Sequence, residues 1–283
     1  MTDFALPPQA AIDAEVGRAL AEDVGSGDVT ASLLPDLAQQ GYVLAKEGAV
    51  IAGRPWFDAC FRALDPAVGI HWRVDEGERV PAQTVVCTFE GRARALLSAE
   101  RCALNFLQTL SATATRTAEF VAAVAGTRAR ILDTRKTLPG LRLAQKYAVR
   151  VGGGNNHRIG LFDAVMLKEN HIHAAGSIAA AALQARSRYP TLPLIIEVEN
   201  LDELAQALAT GCTRILIDDF SIAQMREAVR LADGRIPLEV SGGVDLPAVR
   251  EIAETGIDFI SIGALTKHIR AVDFSMRLGK PPA

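Results

Sequence analysis

Six short apolar runs, each ending at a polar, charged or glycine position, recur from residue 130 onward in this 283-residue chain and limit what it can fold into. They are Arg130-Ile-Leu-Asp133, Asp163-Ala-Val-Met-Leu-Lys168, Leu194-Ile-Ile-Glu-Val198, Arg214-Ile-Leu-Ile-Asp218, Ile236-Pro-Leu-Glu-Val240 and Phe259-Ile-Ser-Ile262. The last three begin 22 and then 23 residues apart, room for one strand, a helix of three turns and two short loops. Such units predict consecutive βα repeats around a parallel sheet. A barrel and an open doubly wound sheet both fit that spacing.

The strand ends favour the barrel. Asp133-Thr-Arg-Lys136, Lys168-Glu-Asn170, Glu197-Val-Glu-Asn200, Asp218-Asp219, Ser241-Gly-Gly243 and Gly263 all sit where an apolar run stops. A barrel gathers the C-terminal end of every strand around one mouth, whereas a doubly wound sheet uses only the ends near its switch point.

Ahead of these runs the rhythm differs. Short strands are expected over 41–51, 69–74 and 84–89, punctuated by Gly48, Gly53, Gly77, Pro81 and Gly91. Ala11 to Glu22 predicts a helix that stops near Gly25. Ser98 reads as the N-cap of a further helix, with Glu100 in its first turn and Ala103, Leu104, Phe106, Leu107 and Leu110 on its apolar side. No internal repeat or low-complexity tract stands out.

A net charge of −3 argues against a globally basic nucleic-acid or membrane-surface binder. With 49% hydrophobic and 22% charged residues, the chain lies outside the disordered regime. Cys60, Cys87, Cys102 and Cys212 form no C-x-x-C pair and are expected as reduced packing thiols. The start of the chain lacks the basic-then-apolar pattern of a secretory signal, and no run is long enough to span a bilayer, so a cytoplasmic location is expected.

The average charge conceals a local excess. Between Thr134 and Phe162 there is no acidic residue, while Arg135, Lys136, Arg142, Lys146, Arg150 and Arg158 are all cationic, with His157 beside the last. Arginine forks and lysine point charges suit a small polyanion. Gly152-Gly-Gly-Asn-Asn156 lacks P-loop spacing and reads better as a turn that passes close to a ligand. Ser241-Gly-Gly243 and Gly263, after the last two strands, are better phosphate candidates. Glu197 and Asp218, on successive strand ends, suit Mg²⁺, sugar hydroxyls or a developing positive charge, or simple ion pairing with local cations. Lys168 fits an anion contact or a Schiff-base lysine. His171-Ile-His173 has a metal-like spacing without a third ligand, and His71, Trp72 and Trp56 read as packing residues.

The segment Asp133-Thr-Arg-Lys-Thr-Leu-Pro-Gly-Leu-Arg142, continuing through Lys146 to Gly152-Gly-Gly-Asn-Asn-His-Arg158 and Asp163 to His171, closely resembles the quinolinate phosphoribosyltransferase family. The likeness extends to Glu22-Asp-Val-Gly-Ser-Gly-Asp-Val-Thr30, Ala99-Glu-Arg-Cys-Ala-Leu-Asn105, Ile196-Glu-Val-Glu199, Leu238-Glu-Val-Ser-Gly-Gly243 and Ser261-Ile-Gly-Ala-Leu-Thr266, nearly the whole chain. Lys267 is its weakest match.

The resemblance implies an α/β protein. Residues 1–105 would form an N-terminal α/β sandwich joined by the tail 269–283, and 106–268 an incomplete α/β barrel of six or seven parallel strands. It implies a homodimer with Arg101 reaching the neighbouring subunit's site. The reaction implied is quinolinate plus 5-phosphoribosyl-1-pyrophosphate giving nicotinate mononucleotide, pyrophosphate and CO₂, with Mg²⁺ accompanying the donor and no organic cofactor. Arg101, Thr134, Arg135, His157, Arg158 and Lys168 would bind the substrates. Lys136 and Lys168 would meet the pyrophosphate, and Glu197 and Asp218 the ribose or the metal. The backbone around Ser241, Gly242, Gly243 and Gly263 would hold the 5-phosphate, and Ser261 and Lys267 are also expected among the substrate-binding residues.

The competing readings are a paralogue acting on another pyridine or a molybdate-linked substrate, a Schiff-base aldolase built on Lys168, and a lipoyl-type carrier. The first domain shows no lysine at a clear hairpin tip, which disfavours the carrier.

Overall fold

A computed structural model describes residues 5–282 and divides the chain into two units. The first takes the chain up to Ala118, together with Leu138–Gly153 and the residues from His268 onward. The second takes Glu119–Thr137 and Gly154–Lys267.

The first unit begins with α1 (Gln9–Asp23), β1 (Ala38–Ala45), β2 (Ala49–Val50), α2 (Arg54–Leu64), β3 (Gly69–Trp72), β4 (Arg79–Val80) and β5 (Thr84–Arg92). Strand β5 runs directly into the 31-residue α3 (Ala93–Ala123). Good helix formers such as Ala93, Ala95, Leu96 and Leu97 start that helix before Ser98. Ser98 is therefore an interior helical residue and not the expected N-cap; its hydroxyl donates to Asp28 Oδ2 at 2.9 Å.

An antiparallel sheet in the order β12-β1-β5-β3 forms the centre of this unit, with β12 (Phe274–Leu278) supplied by the C-terminal tail. Strands β2 and β4 make a separate pair. Helix α2 carries Trp56, Phe57, Cys60 and Phe61, which recur on one helical face and bury against Val43, Ala45, Val86, Cys87 and Phe89. Phe61 stacks on Phe89 at 5.6 Å, and Phe57 meets Trp72 edge-on at 5.2 Å. All four cysteines are buried and unpaired, and burial raises their thiol pKa values.

The helix α4 (Arg142–Val151) also belongs to the first unit. Ala144, Tyr147, Ala148 and Val151 enter its core, and the Tyr147 ring lies 5.4 Å from Trp56. The division thus departs from the expected one in two places. Helix α3 continues unbroken past residue 105, and the basic segment is split because the apolar face of α4 packs with the first unit.

The second unit contains β6 (Arg130–Leu132), β7 (Val165–Leu167), α5 (Glu169–Ala175), α6 (Ile178–Arg188), β8 (Leu194–Val198), α7 (Leu201–Leu208), β9 (Arg214–Asp218), α8 (Ile222–Ala232), β10 (Leu238–Ser241), α9 (Leu246–Ala253), β11 (Phe259–Ser261) and α10 (Ala264–Lys267). All six expected runs are strands. They form one parallel sheet in the order β6-β11-β10-β9-β8-β7. Strands β6 and β7 stand at its two ends, so the sheet is an incomplete barrel. Asn155 adds a single parallel rung to β6: its N–H donates to Ile131 O, and Asp133 N–H donates to Asn155 O. Helices follow their strands through side-chain caps, with Asn200, Ser221 and Asp245 accepting the N–H of Glu203, Gln224 and Ala248.

Gly152 closes α4 where no side chain fits: a Cβ there would overlap the Ala114 carbonyl oxygen and lie 2.8 Å from Thr117 Cβ. Gly152→Ala should lower stability by about 1–3 kcal/mol through overpacking. Urea denaturation monitored by tryptophan fluorescence checks this.

Candidate active site

Side chains two apart on a strand share a face, and the parallel register aligns those faces across the barrel. Glu197 pairs with Leu216, Leu216 with Glu239, and Asp218 with Ser241. Ala164, Ile195 and Leu216 form a small apolar cluster with Met166 against it. A cavity of about 280 Å³ opens there, lined by Thr134, Arg135, Lys136, His157, Arg158, Met166, Lys168, Glu197, Leu216, Glu239, Ser241 and Ser261. A larger cavity of about 690 Å³ lies in the first unit between α1 and α2, but Arg54 and Arg62 there are matched by Asp13, Asp58 and Glu76. The convergent cations are in the smaller one.

Two buried carboxylates organise the deep side. Asp133, at the end of β6, is fully buried and accepts the His157 N–H at 2.8 Å and the Asn156 amide at 2.6 Å. Glu239, on β10, is also fully buried. Its Oε2 accepts from Arg214 at 2.9 Å and lies 3.4 Å from His157 Nε2. The Arg214 guanidinium rests over the Phe259 ring at 4.3 Å. Burial alone would raise the Glu239 pKa, but its contact with His157 and the hydrogen bond and charge of Arg214 outweigh it and hold the carboxyl below its ordinary value.

The outer side is cationic. The Arg158 guanidinium makes two weak contacts, to Ala164 O and Met166 Sδ, each at 3.4 Å. Burial draws its pKa below the usual guanidinium value, and the nearby Arg135 charge adds to this. Lys168 Nζ meets Glu197 at 2.5 Å with its side chain 43% exposed, which is not the desolvated setting of a Schiff-base lysine. Thr134 Oγ1 accepts the Lys136 N–H at 3.0 Å, and Thr266 donates to Lys136 O at 2.8 Å. Gly263 lets the Lys136 side chain pass, since a Cβ would stand 3.0 Å from Lys136 Cδ. Gly242 and Gly243 adopt φ +101° and +50°, which turn the chain sharply after Ser241. A Cβ on Gly242 would lie 3.4 Å from Asp218 Oδ1.

The expected residues are therefore distributed unequally. Thr134, Arg135, Lys136, His157, Arg158, Lys168, Glu197, Ser241 and Ser261 come together around one cavity. Asp218, Gly242, Gly243 and Gly263 stand on adjoining strand ends, and Lys267 closes α10. Arg142, Lys146 and Arg150 instead lie on α4 in the first unit, so the basic stretch is not one patch. Arg101 is exposed on α3, also in the first unit. His171 accepts the Lys168 N–H at 3.1 Å, a helix-capping contact, and among the described residues no three His, Cys, Asp or Glu side chains form a metal cluster. Sequence reasoning missed Asp133, Glu239 and Arg214 as site residues. A charged residue inside the apolar run Leu238-Glu-Val240 was the available signal.

Comparison with known proteins agrees across the chain. The family model described as quinolinate phosphoribosyl transferase, N-terminal domain, matches residues 28–111, and its C-terminal counterpart matches 113–277. A probable nicotinate-nucleotide pyrophosphorylase [carboxylating] of Synechocystis sp. is 45% identical over 280 residues, covering 96% of this chain and 94% of that protein. The Mycobacterium leprae enzyme of that name is 42% identical, covering 93% of this chain and 95% of its own. The solved nicotinate-nucleotide pyrophosphorylase of Francisella tularensis superposes with a TM-score of 0.95 at 42% identity, covering 99% of this chain and 100% of that one.

Replacing Arg214 by methionine strands Glu239 as a buried charge and should lower stability by about 3 kcal/mol at pH 8. In the variant the folded-state carboxyl pKa rises above the unfolded one, so its penalty fades as pH falls toward the unfolded pKa. The deficit should accordingly narrow between about pH 8 and pH 5.5 in paired denaturation curves.

Proposed function

The chain belongs to the quinolinate phosphoribosyltransferase family, and from that premise we propose that its barrel cavity catalyses phosphoribosyl transfer to quinolinate with decarboxylation. The products are nicotinate mononucleotide, pyrophosphate and CO₂, a step of NAD biosynthesis. The observation that carries this reading is the convergence of Arg135, Lys136, Arg158 and Lys168 on one cavity whose lining also includes apolar Met166 and Leu216.

Quinolinate is a flat pyridine with adjacent carboxylates on C2 and C3. Arg135, Arg158 and Lys168 are the cations proposed to hold those anions, and the long contacts of Arg158 leave its guanidinium available for a carboxylate. The ring nitrogen attacks C1 of the phosphoribosyl donor as the bond from C1 to the diphosphate oxygen breaks. Positive charge develops on the ribose, which Glu197 and Asp218 favour by their charge and by contact with hydroxyls. Lys136 and Lys168 receive the departing diphosphate. The turn from Ser241 to Gly243, with Ser261, Gly263 and Lys267, is the proposed place of the 5-phosphate. Ribosylation leaves a positive nitrogen beside C2. The bond from C2 to its carboxylate then breaks with the electron pair staying on C2, CO₂ leaves, and water supplies the proton.

Magnesium fits this donor set as a companion of the donor's diphosphate. Glu197 is already paired with Lys168, and a Mg²⁺ ion commonly takes one or two carboxylates beside substrate phosphates. We further propose a cytoplasmic homodimer in which Arg101 serves the partner's cavity. No helix among the described residues is long and apolar enough to cross a membrane.

Incubation with quinolinate, the phosphoribosyl donor and Mg²⁺ should release CO₂ and nicotinate mononucleotide in equal amounts. Turnover of nicotinic acid in place of quinolinate would refute the substrate assignment. Arg158→Lys, which keeps charge but loses the fork, should raise KM for quinolinate about 10- to 100-fold. For the shared site, mixing Arg101→Ala with Lys136→Ala subunits should restore activity. Confirmed mixed dimers without recovery would remove Arg101 from the partner's cavity.

A further inference from the structure

We propose that Glu239 is a positioning residue for the quinolinate site, acting through the His157 ring to fix Arg158. The inference rests on the reaction proposed above. It starts at the Arg158 backbone, whose N–H donates to His157 Nδ1 at 2.7 Å. A ring nitrogen accepts only through a free lone pair, so the proton of a neutral His157 belongs on Nε2. Nε2 faces Glu239 Oε2 at 3.4 Å.

The opposite tautomer meets two repulsions. It would set the Nε2 lone pair against a carboxylate oxygen and an Nδ1–H against the Arg158 N–H. A charged Glu239 therefore selects the ring state that accepts from Arg158. Arg214, at 2.9 Å, keeps that carboxylate charged although the residue is fully buried. The second carboxylate oxygen, Oε1, is buried without a hydrogen-bond partner. An apolar residue of similar shape would avoid that standing penalty, so the group's charge is what the site retains.

A continuous line of contacts thus runs from Arg214 through Glu239 and His157 to Arg158. Asp133 secures it from the side by accepting the His157 N–H at 2.8 Å. Together they fix the backbone of Arg158 while its guanidinium keeps only the two 3.4 Å contacts. The network reaches the site through Arg158, proposed to hold a quinolinate carboxylate, so its effect falls on the quinolinate half.

Nitrogen-15 NMR of histidine-labelled wild-type protein reads the tautomer without substrate. His157 is one of five histidines and is assigned by its loss in His157→Gln. The expected result is a proton on Nε2; a proton on Nδ1 overturns the proposal. Glu239→Gln keeps the shape and removes the charge. Its KM for quinolinate should rise about 10- to 100-fold while KM for the phosphoribosyl donor stays within about twofold. An equal rise in both, as general loosening would give, or no rise in either, also overturns it. If Glu239→Gln does not fold, the wild-type tautomer decides. If wild-type protein does not turn over quinolinate, the reaction assignment falls, and the substrate-free tautomer still tests whether Glu239 controls His157.

Discussion

The fully buried Asp133 carboxylate is the point on which the second unit's architecture turns. The chain leaves that unit after Thr137, contributes α4 to the first, and returns at Gly154. On its return it must be brought to the edge of β6 with no long strand to guide it. Asp133 does this with two hydrogen bonds, to the N–H of His157 and the amide of Asn156, while Asn155 makes its rung beside Leu132. A charged acceptor forms stronger bonds to N–H groups than a neutral one, which suits this junction. Everything on the cationic side of the cavity from His157 onward inherits its position from that junction.

The cavity then solves an electrostatic problem by depth. Carboxylates and cations cannot be mixed at random where an anionic ligand must bind. Here Glu239 sits at the deep side with Arg214 as its counter-charge, and Arg135, Lys136 and Arg158 line the rest. Among the described residues that line the cavity the other acidic group is Glu197, and it is answered by Lys168. Apolar Met166 and Leu216 line the same cavity, lowering the local dielectric and strengthening each interaction. This arrangement places positive charge toward a ligand while the buried Glu239 keeps Arg214 as its counter-charge.

The parallel sheet was legible because its strands are buried on both faces and read as continuous apolar runs. Their polar ends marked the cavity for the same reason, and nine of the expected residues meet there. Local pattern did not show where the basic segment divides. Arg142, Lys146 and Arg150 look equivalent to Arg135 in sequence, but the apolar face of α4 takes them to the first unit. Ser98 failed as a cap because strong helix formers precede it, so local propensity there extends the helix backward. Glu239 escaped notice because a lone carboxylate in an apolar run has meaning only beside Arg214 and His157, neither of which is near it in sequence.

The sheet order of the first unit has a consequence for synthesis. Its outer strand β12 follows every strand of the second unit along the chain, yet it pairs with β1, which precedes them all, from Gly41–Leu278 to Ala45–Phe274. During translation the second unit's strands have all emerged while one edge of β1 still lacks its neighbour. Domains generally fold in the order they leave the ribosome, and an unpaired edge strand invites association with other chains. For this chain the order is inverted: the unit begun first is finished last. A nascent chain stalled short of Phe274 would present a formed barrel beside an unfinished sheet, a natural target for chaperones and proteases.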